Sequence, residues 1–154
     1  MMSPQRTETV FEARSEGYVL STDRGRVDVA VVHAFLTTES YWGRGASLDQ
    51  LQRAIDNSLP ITICAADGSF AAFGRLVTDY AIFAYLRDVF TVPAHRGRGL
   101  ASWLALEIRN HPQLSSVTSW MLATRAAPGV YARAGFKPAP HPEYYMMVPK
   151  PELG

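Results

Sequence analysis

The stretch from Ile82 to Asn110 does most to limit what this chain can fold into. A long β-prone run, Ile82–Val92, meets Pro93, which has no N–H with which to continue a ladder. Beyond a loop holding Gly97 and Gly99, the apolar stripe Leu100, Leu104, Ile108, with Ala101 and Ala105 beside it, predicts a helix to about Asn110. His111-Pro112 halts it, because the residue before a proline is driven out of helical geometry. A strand running straight into an apolar helix needs a sheet to pair in and a sheet face to cover.

The other segments extend that pattern. Gly17–Ser21 predicts a short strand, closed by a turn at Asp23-Arg24-Gly25. Val27–Leu36 reads two ways: Val27, Val29 and Val31 alternate as in a strand, while Val29, Val32 and Leu36 share a helical face. Residues 40–46 predict a loop carrying Tyr41 and Trp42. Leu48–Ser58 predicts a helix, with a capping box at Ser47 and Gln50, a stripe of Leu48, Leu51, Ile55 and Leu59, and Pro60 as its stop. Ile61–Ala65 and Ala71–Thr78 form a hairpin across Asp67-Gly68, and Asp79-Tyr80 turns the chain into the long strand. Downstream come a strand at Ser119–Ala123, a short helix at Pro128–Ala134 and a last strand at Tyr144–Val148. This order predicts a mixed sheet with helices on its faces rather than a repeating β-α pattern.

Composition narrows the class. At 154 residues the chain suits one domain, 1–154, with about the first fifteen polar residues expected to be partly disordered. Hydrophobic residues at 47% and charged ones at 19% indicate a packed globular core rather than disorder. A net charge of +1 gives no electrostatic footprint for nucleic acid. Cys64 stands alone and cannot form an internal disulfide, which suits a reducing compartment. The polar start lacks a signal peptide's apolar stretch, and no apolar run is long enough to span a membrane, so a cytoplasmic location is expected. His33, His95, His111 and His141 lack the spacing of a metal site.

The chemistry centres on the loop Arg96-Gly97-Arg98-Gly99-Leu100-Ala101, followed by Ser102. A helix start leaves N–H groups without intrahelical partners and carries a partial positive charge. Glycines there bring the backbone close to a phosphate group, and Arg96 and Arg98 add charge. A P-loop would need Lys-Ser/Thr after the last glycine, but Leu100 follows Gly99. A dinucleotide fingerprint would need glycine where Ser102 stands, and an acidic residue near position 120.

Val92-Pro93 followed by Arg96-x-x-Gly99-x-Ala101 at a strand-to-helix junction resembles the coenzyme A motif of the GNAT acetyltransferases. Tyr131-Ala132-Arg133-Ala134-Gly135-Phe136 is similar to the short-helix motif near that family's C-terminus, with one strand between the two motifs. The resemblance is specific over about Asp88–Phe136. It implies a mixed α/β (α+β) fold whose largely antiparallel central sheet splays after the fourth strand, with helices on both faces, and it favours helix for Val27–Leu36. It implies acetyl-CoA as cosubstrate and a primary amine of a small molecule or peptide as acceptor; the charge balance, the lack of a long apolar run and the scattered histidines leave no metal, nucleic acid or membrane expected as partner. A homodimer would fit the family. Arg96–Ser102 would hold the diphosphate, the backbone of Phe90, Thr91 and Val92 would meet pantetheine and the thioester, and Thr124 stands where the family often has asparagine.

By the same resemblance Tyr131 would protonate the departing thiolate. For the base Asp88 comes first, with a salt bridge or turn contact as its other reading; Glu39, His33 and a base-free route stay open. Tyr41 and Trp42 are expected at the acceptor site, where Tyr80, Phe83, Tyr85, Tyr144 and Tyr145 lie within reach; aromatic faces suit an apolar or cationic acceptor. The alternative to an enzyme is a non-catalytic acyl-CoA-binding or regulatory module. Cys64 reads as a core cysteine.

Overall fold

The computed structural model describes residues 7–38, 45–125 and 127–149. Six strands form one sheet in chain order: β1 (Glu12–Ser15), β2 (Tyr18–Ser21), β3 (Leu59–Cys64), β4 (Phe70–Thr78), β5 (Phe83–Thr91) and β6 (Ser119–Leu122). Neighbours from β1 to β5 run antiparallel, and β6 lies parallel to β5. Short turns make the β1–β2, β3–β4 and β4–β5 steps, while residues 22–58 connect β2 to β3. Asp79 Oδ1 accepts the N–H groups of Ala81, Ile82 and Phe83 at 2.8, 2.8 and 3.0 Å, which tightens the turn into β5. A parallel step needs a longer crossover, and it contains the helix α3 (Leu100–Glu107).

The two faces of the sheet are covered by different helices. Adjacent residues of β4 point to opposite sides, and Ala72 and Leu76 join the core that holds Leu100, Leu104 and Ala105 of α3. Phe73 points the other way, with Phe90, into a cluster holding Val32 and Leu36 of α1 (Val29–Thr38) and Leu51 and Ile55 of α2 (Leu48–Asp56). Leu104, Ile61 and Phe73 have no exposed surface, and burying a side chain of this size contributes about 1.5–3 kcal/mol. The α1–α2 cover reaches the Phe73–Phe90 end of the sheet and joins no residue of the Val77–Phe83 end, where Val77 is 38% and Phe83 37% exposed.

Several local expectations hold. Val27–Leu36 belongs mostly to α1, and the capping box of α2 is present in both directions. Others need correction. The polar segment expected to be partly disordered ends in a strand, β1, whose polar side chains are tolerated because it pairs only with β2 at the sheet edge. Pro60 does not stop α2, which ends at Asp56 with Asn57 as its cap. Pro60 instead lies inside β3, opposite Arg75, where β2 no longer pairs and no ladder donor is needed. Tyr144–Val148 joins no strand among the described residues. A 3-10 turn spans Pro142–Tyr144, and Met146, Met147 and Val148 are 93%, 89% and 92% exposed.

Candidate active site

The sheet opens between β5 and β6. Their register runs from Phe83 opposite Ser119 to Leu86 opposite Leu122; β6 then stops while β5 continues to Thr91. A bulge marks the parting. Between the pairs Arg75–Arg87 and Phe73–Phe90, two residues of β5, Asp88 and Val89, face Gly74 alone. Asp88 takes the left-handed φ of 56°, which costs an L-residue about 1–2 kcal/mol. Its carboxylate is tied across the sheet: Arg75 Nε donates to Oδ2 at 2.5 Å, with side-chain exposures of only 12% and 9%. A pair so enclosed is held firmly, since losing one partner strands the other charge.

Strand alternation decides which peptide groups face the gap. Val92 N–H donates to the Ala71 carbonyl at 2.9 Å, so Val92 and Phe90 turn their peptide groups toward β4. Thr91 and Val89 therefore turn theirs toward the opening. The Phe90 ring is buried, stacked on Phe35 with centroids 4.0 Å apart. Of Phe90, Thr91 and Val92, only Thr91 turns its backbone away from β4, at the end of the opening nearest the glycine loop. Val89 was missed, although alternation from Pro93 backward was enough to find it.

The gap is a cavity of about 470 Å³ lined by Tyr85, Arg87 and Asp88 of β5, Thr124 and Arg125 beyond β6, and Tyr131. Tyr131 sits on α4 (Pro128–Ala132), which begins with Pro128 at its first turn. The turn that follows the helix closes at Gly135, φ 95°, where Phe136 N–H returns to the Tyr131 carbonyl at 3.2 Å. Burial pushes the Tyr131 phenol above its ordinary value, so at neutral pH it keeps its proton. Thr124 Oγ1 accepts from Ala127 N–H at 3.2 Å and keeps its own proton to donate.

A second cavity, about 460 Å³, lies at the glycine loop. Thr91, Arg96, Gly97 and the run Gly99–Ser102 line it; Arg98 does not. Gly97 and Gly99 have φ of 79° and 73°, and a Cβ on either would meet nothing within 4 Å. Glycine is thus required by the sign of φ, and the space before the loop stays open. The first intrahelical bond of α3 runs from Trp103 N–H to the Gly99 carbonyl at 2.9 Å. The N–H groups of Leu100, Ala101 and Ser102 have no intrahelical acceptor, and the N-cap Gly99 offers no side chain. An open space ringed by unpaired amides and Arg96 fits a diphosphate. His95, with Nδ1 2.9 Å from the Tyr18 hydroxyl, also lines it, as does Arg133, which sequence reasoning missed.

The remaining candidates lie elsewhere. His33 Nε2 donates to the Ala46 carbonyl at 2.9 Å and lines neither cavity. Cys64 ends β3 half-buried, away from both. Tyr41, Trp42 and Glu39 fall outside the described residues. Among the described residues no group of three His, Cys, Asp or Glu could hold a metal ion, and no helix is long and apolar enough to cross a membrane.

The fold agrees with the comparisons. Residues 58–138 match the model of the acetyltransferase (GNAT) domain. The crystal structure of a GNAT-family protein from Xanthomonas campestris pv. campestris is 40% identical, with a TM-score of 0.80, over 87% of this chain and 94% of that one. A Clostridium acetobutylicum protein solved with acetyl-CoA shares the fold at 15% identity and a TM-score of 0.60, over 86% of this chain and 94% of that one. A Gibberella zeae protein named for acetyltransferase activity is 27% identical over 111 residues, 60% of this chain. The match spans 62% of that relative's length. The chain belongs to the GNAT acetyltransferase family, whose members use acetyl-CoA.

Proposed function

We propose that this chain is an N-acetyltransferase that passes acetyl from acetyl-CoA directly to a primary amine of a small molecule or peptide, with both substrates bound together. The observation that carries the reading is the placement of α4 between two cavities. Gly129, Val130 and Arg133 border the one ringed by helix amides, while Ala127 and Tyr131 border the one at the strand gap. Arg96, Gly97 and the amides of Gly99–Ser102 would hold the diphosphate, with Arg98 adding charge nearby. Peptide groups of Thr91 and Val89, and the Thr124 hydroxyl, would meet the amide-bearing arm.

Acetyl-CoA supplies an activated thioester. The amine nitrogen bonds to the acetyl carbon, the C–S bond breaks, and Tyr131 gives its phenolic proton to the departing sulfur. The nitrogen's surplus proton passes to Asp88, directly or through water, at Oδ1, because Oδ2 is engaged by Arg75. An outward N–H of β5 can stabilise the charge that grows on the carbonyl oxygen. Tyr41 and Trp42 belong to the acceptor side of this reading. The setting is the cytoplasm, and the active form is a homodimer, supported by the exposed apolar segment Tyr144–Val148 and an outer edge of β6 that pairs with no strand among the described residues.

Calorimetry with acetyl-CoA tests the core of the proposal. The wild type should bind, and replacing both Arg96 and Arg98 by alanine should weaken binding by about tenfold or more. A wild-type protein that takes up no acetyl-CoA sinks the reading.

A further inference from the structure

The part of the sheet that α1 and α2 leave uncovered carries a charge the proposed chemistry does not use. Arg87 is exposed on β5, beside Asp88 and in register with Arg75, and its guanidinium lies 5.9 Å from the centroid of the Tyr85 ring. Both Arg87 and Tyr85 line the gap cavity that holds Tyr131. Asp88 is the one carboxylate among the described residues lining that cavity, and Arg75 engages it. No described carboxylate pairs with Arg87. The carrier's diphosphate has its own cations, Arg96 and Arg133, at the other cavity.

An amine acceptor arrives mostly as an ammonium, and a guanidinium held near the reaction point repels it. A negative group elsewhere on the same molecule reverses that balance, because Arg offers a planar fork that matches carboxylate and phosphate oxygens. The same positive charge disfavours the ammonium form of the bound acceptor and so favours the free amine that attacks. Resting on the acetyltransferase reading above, we propose that the acceptor is an amine bearing a carboxylate or phosphate, whose anion is held by Arg87 on the Tyr85 ring. Arg87 thereby selects the acceptor and has no part in holding the acetyl carrier.

The test uses the full chain saturated with CoA and two matched probe pairs, β-alanine against β-alaninamide and phosphoethanolamine against ethanolamine. The NMR signal of the Arg87 Nε–H, assigned by its loss in Arg87→Gln, reports the contact. The anionic member of one or both pairs should move that signal saturably at millimolar concentration and bind about tenfold more tightly than its neutral partner. Which pair responds tells carboxylate from phosphate. In Arg87→Gln the preference should shrink to about twofold or less while CoA affinity stays at the wild-type level. An Arg87 signal unmoved by either anion, or neutral partners that bind as well, overturns the proposal while intact CoA binding leaves the acetyltransferase reading standing. Failure of the wild type to bind CoA overturns both.

Discussion

Two side chains show how burial sets protonation, with opposite consequences. Tyr131 is half-buried against the main core beside Phe136, and desolvation raises its phenol. Such a group remains a proton donor throughout the neutral range and stops being one only above its ordinary value of about 10. Tyr131→Phe should therefore lower kcat by about 10²–10⁴-fold with little change in acetyl-CoA affinity; an unchanged turnover would remove Tyr131 from the chemistry. His111 is fully buried, and desolvation lowers it. Its Nδ1 accepts from Gln113 N–H at 3.0 Å, so the neutral ring's proton sits on Nε2, which donates to the Thr9 carbonyl at 3.0 Å. A second proton would face the Gln113 donor. Because the folded value lies below the unfolded one, unfolded chains take up the proton first. Stability should be level above about pH 6.5 and decline as pH falls through the folded value. Thermal unfolding across that range checks this, and the His111 share of the decline should vanish in His111→Ala, itself less stable by about 2–3 kcal/mol.

At the scale of elements, local chemistry was legible where it is self-contained. The reciprocal Ser47–Gln50 bonds of α2 and the Gly97–Gly99 loop opening α3 follow from residues a few positions apart. What escaped depends on a partner distant in sequence. The left-handed Asp88 makes sense only beside Arg75 and Gly74 of the facing strand, so the bulge that begins the splay has no signature within β5. Tyr144–Val148 has strand-forming side chains and no strand to pair with, which propensity alone does not reveal. The end of α4 is a place where two elements meet. A Cβ on Gly135 would lie 2.9 Å from Arg109 Nη1, which donates to the Ala134 carbonyl, and φ there is 95°. Gly135→Ala should destabilise the fold by about 1–2 kcal/mol and, by shifting α4, reduce turnover more than coenzyme affinity. A variant with unchanged unfolding midpoint would show that this cap yields freely.

The whole molecule leaves two needs unmet: an apolar segment at Tyr144–Val148, 56–93% exposed, and a β6 edge with no neighbour among the described strands. Edges and apolar runs of this kind associate unless something covers them. Sedimentation velocity should show a concentration-dependent dimer, weakened about tenfold or more by Met147→Asp; a wild type that stays monomeric at high concentration refutes the homodimer. The parted strands carry a broader consequence. On the proposed function, the carrier's arm meets β5 through peptide groups, which every residue but proline supplies and most substitutions leave in place. The acceptor instead meets Tyr85 and Arg87, which a single codon can exchange. Evolution, or an engineer, is thereby free to reassign what is modified while the donor's berth is inherited intact.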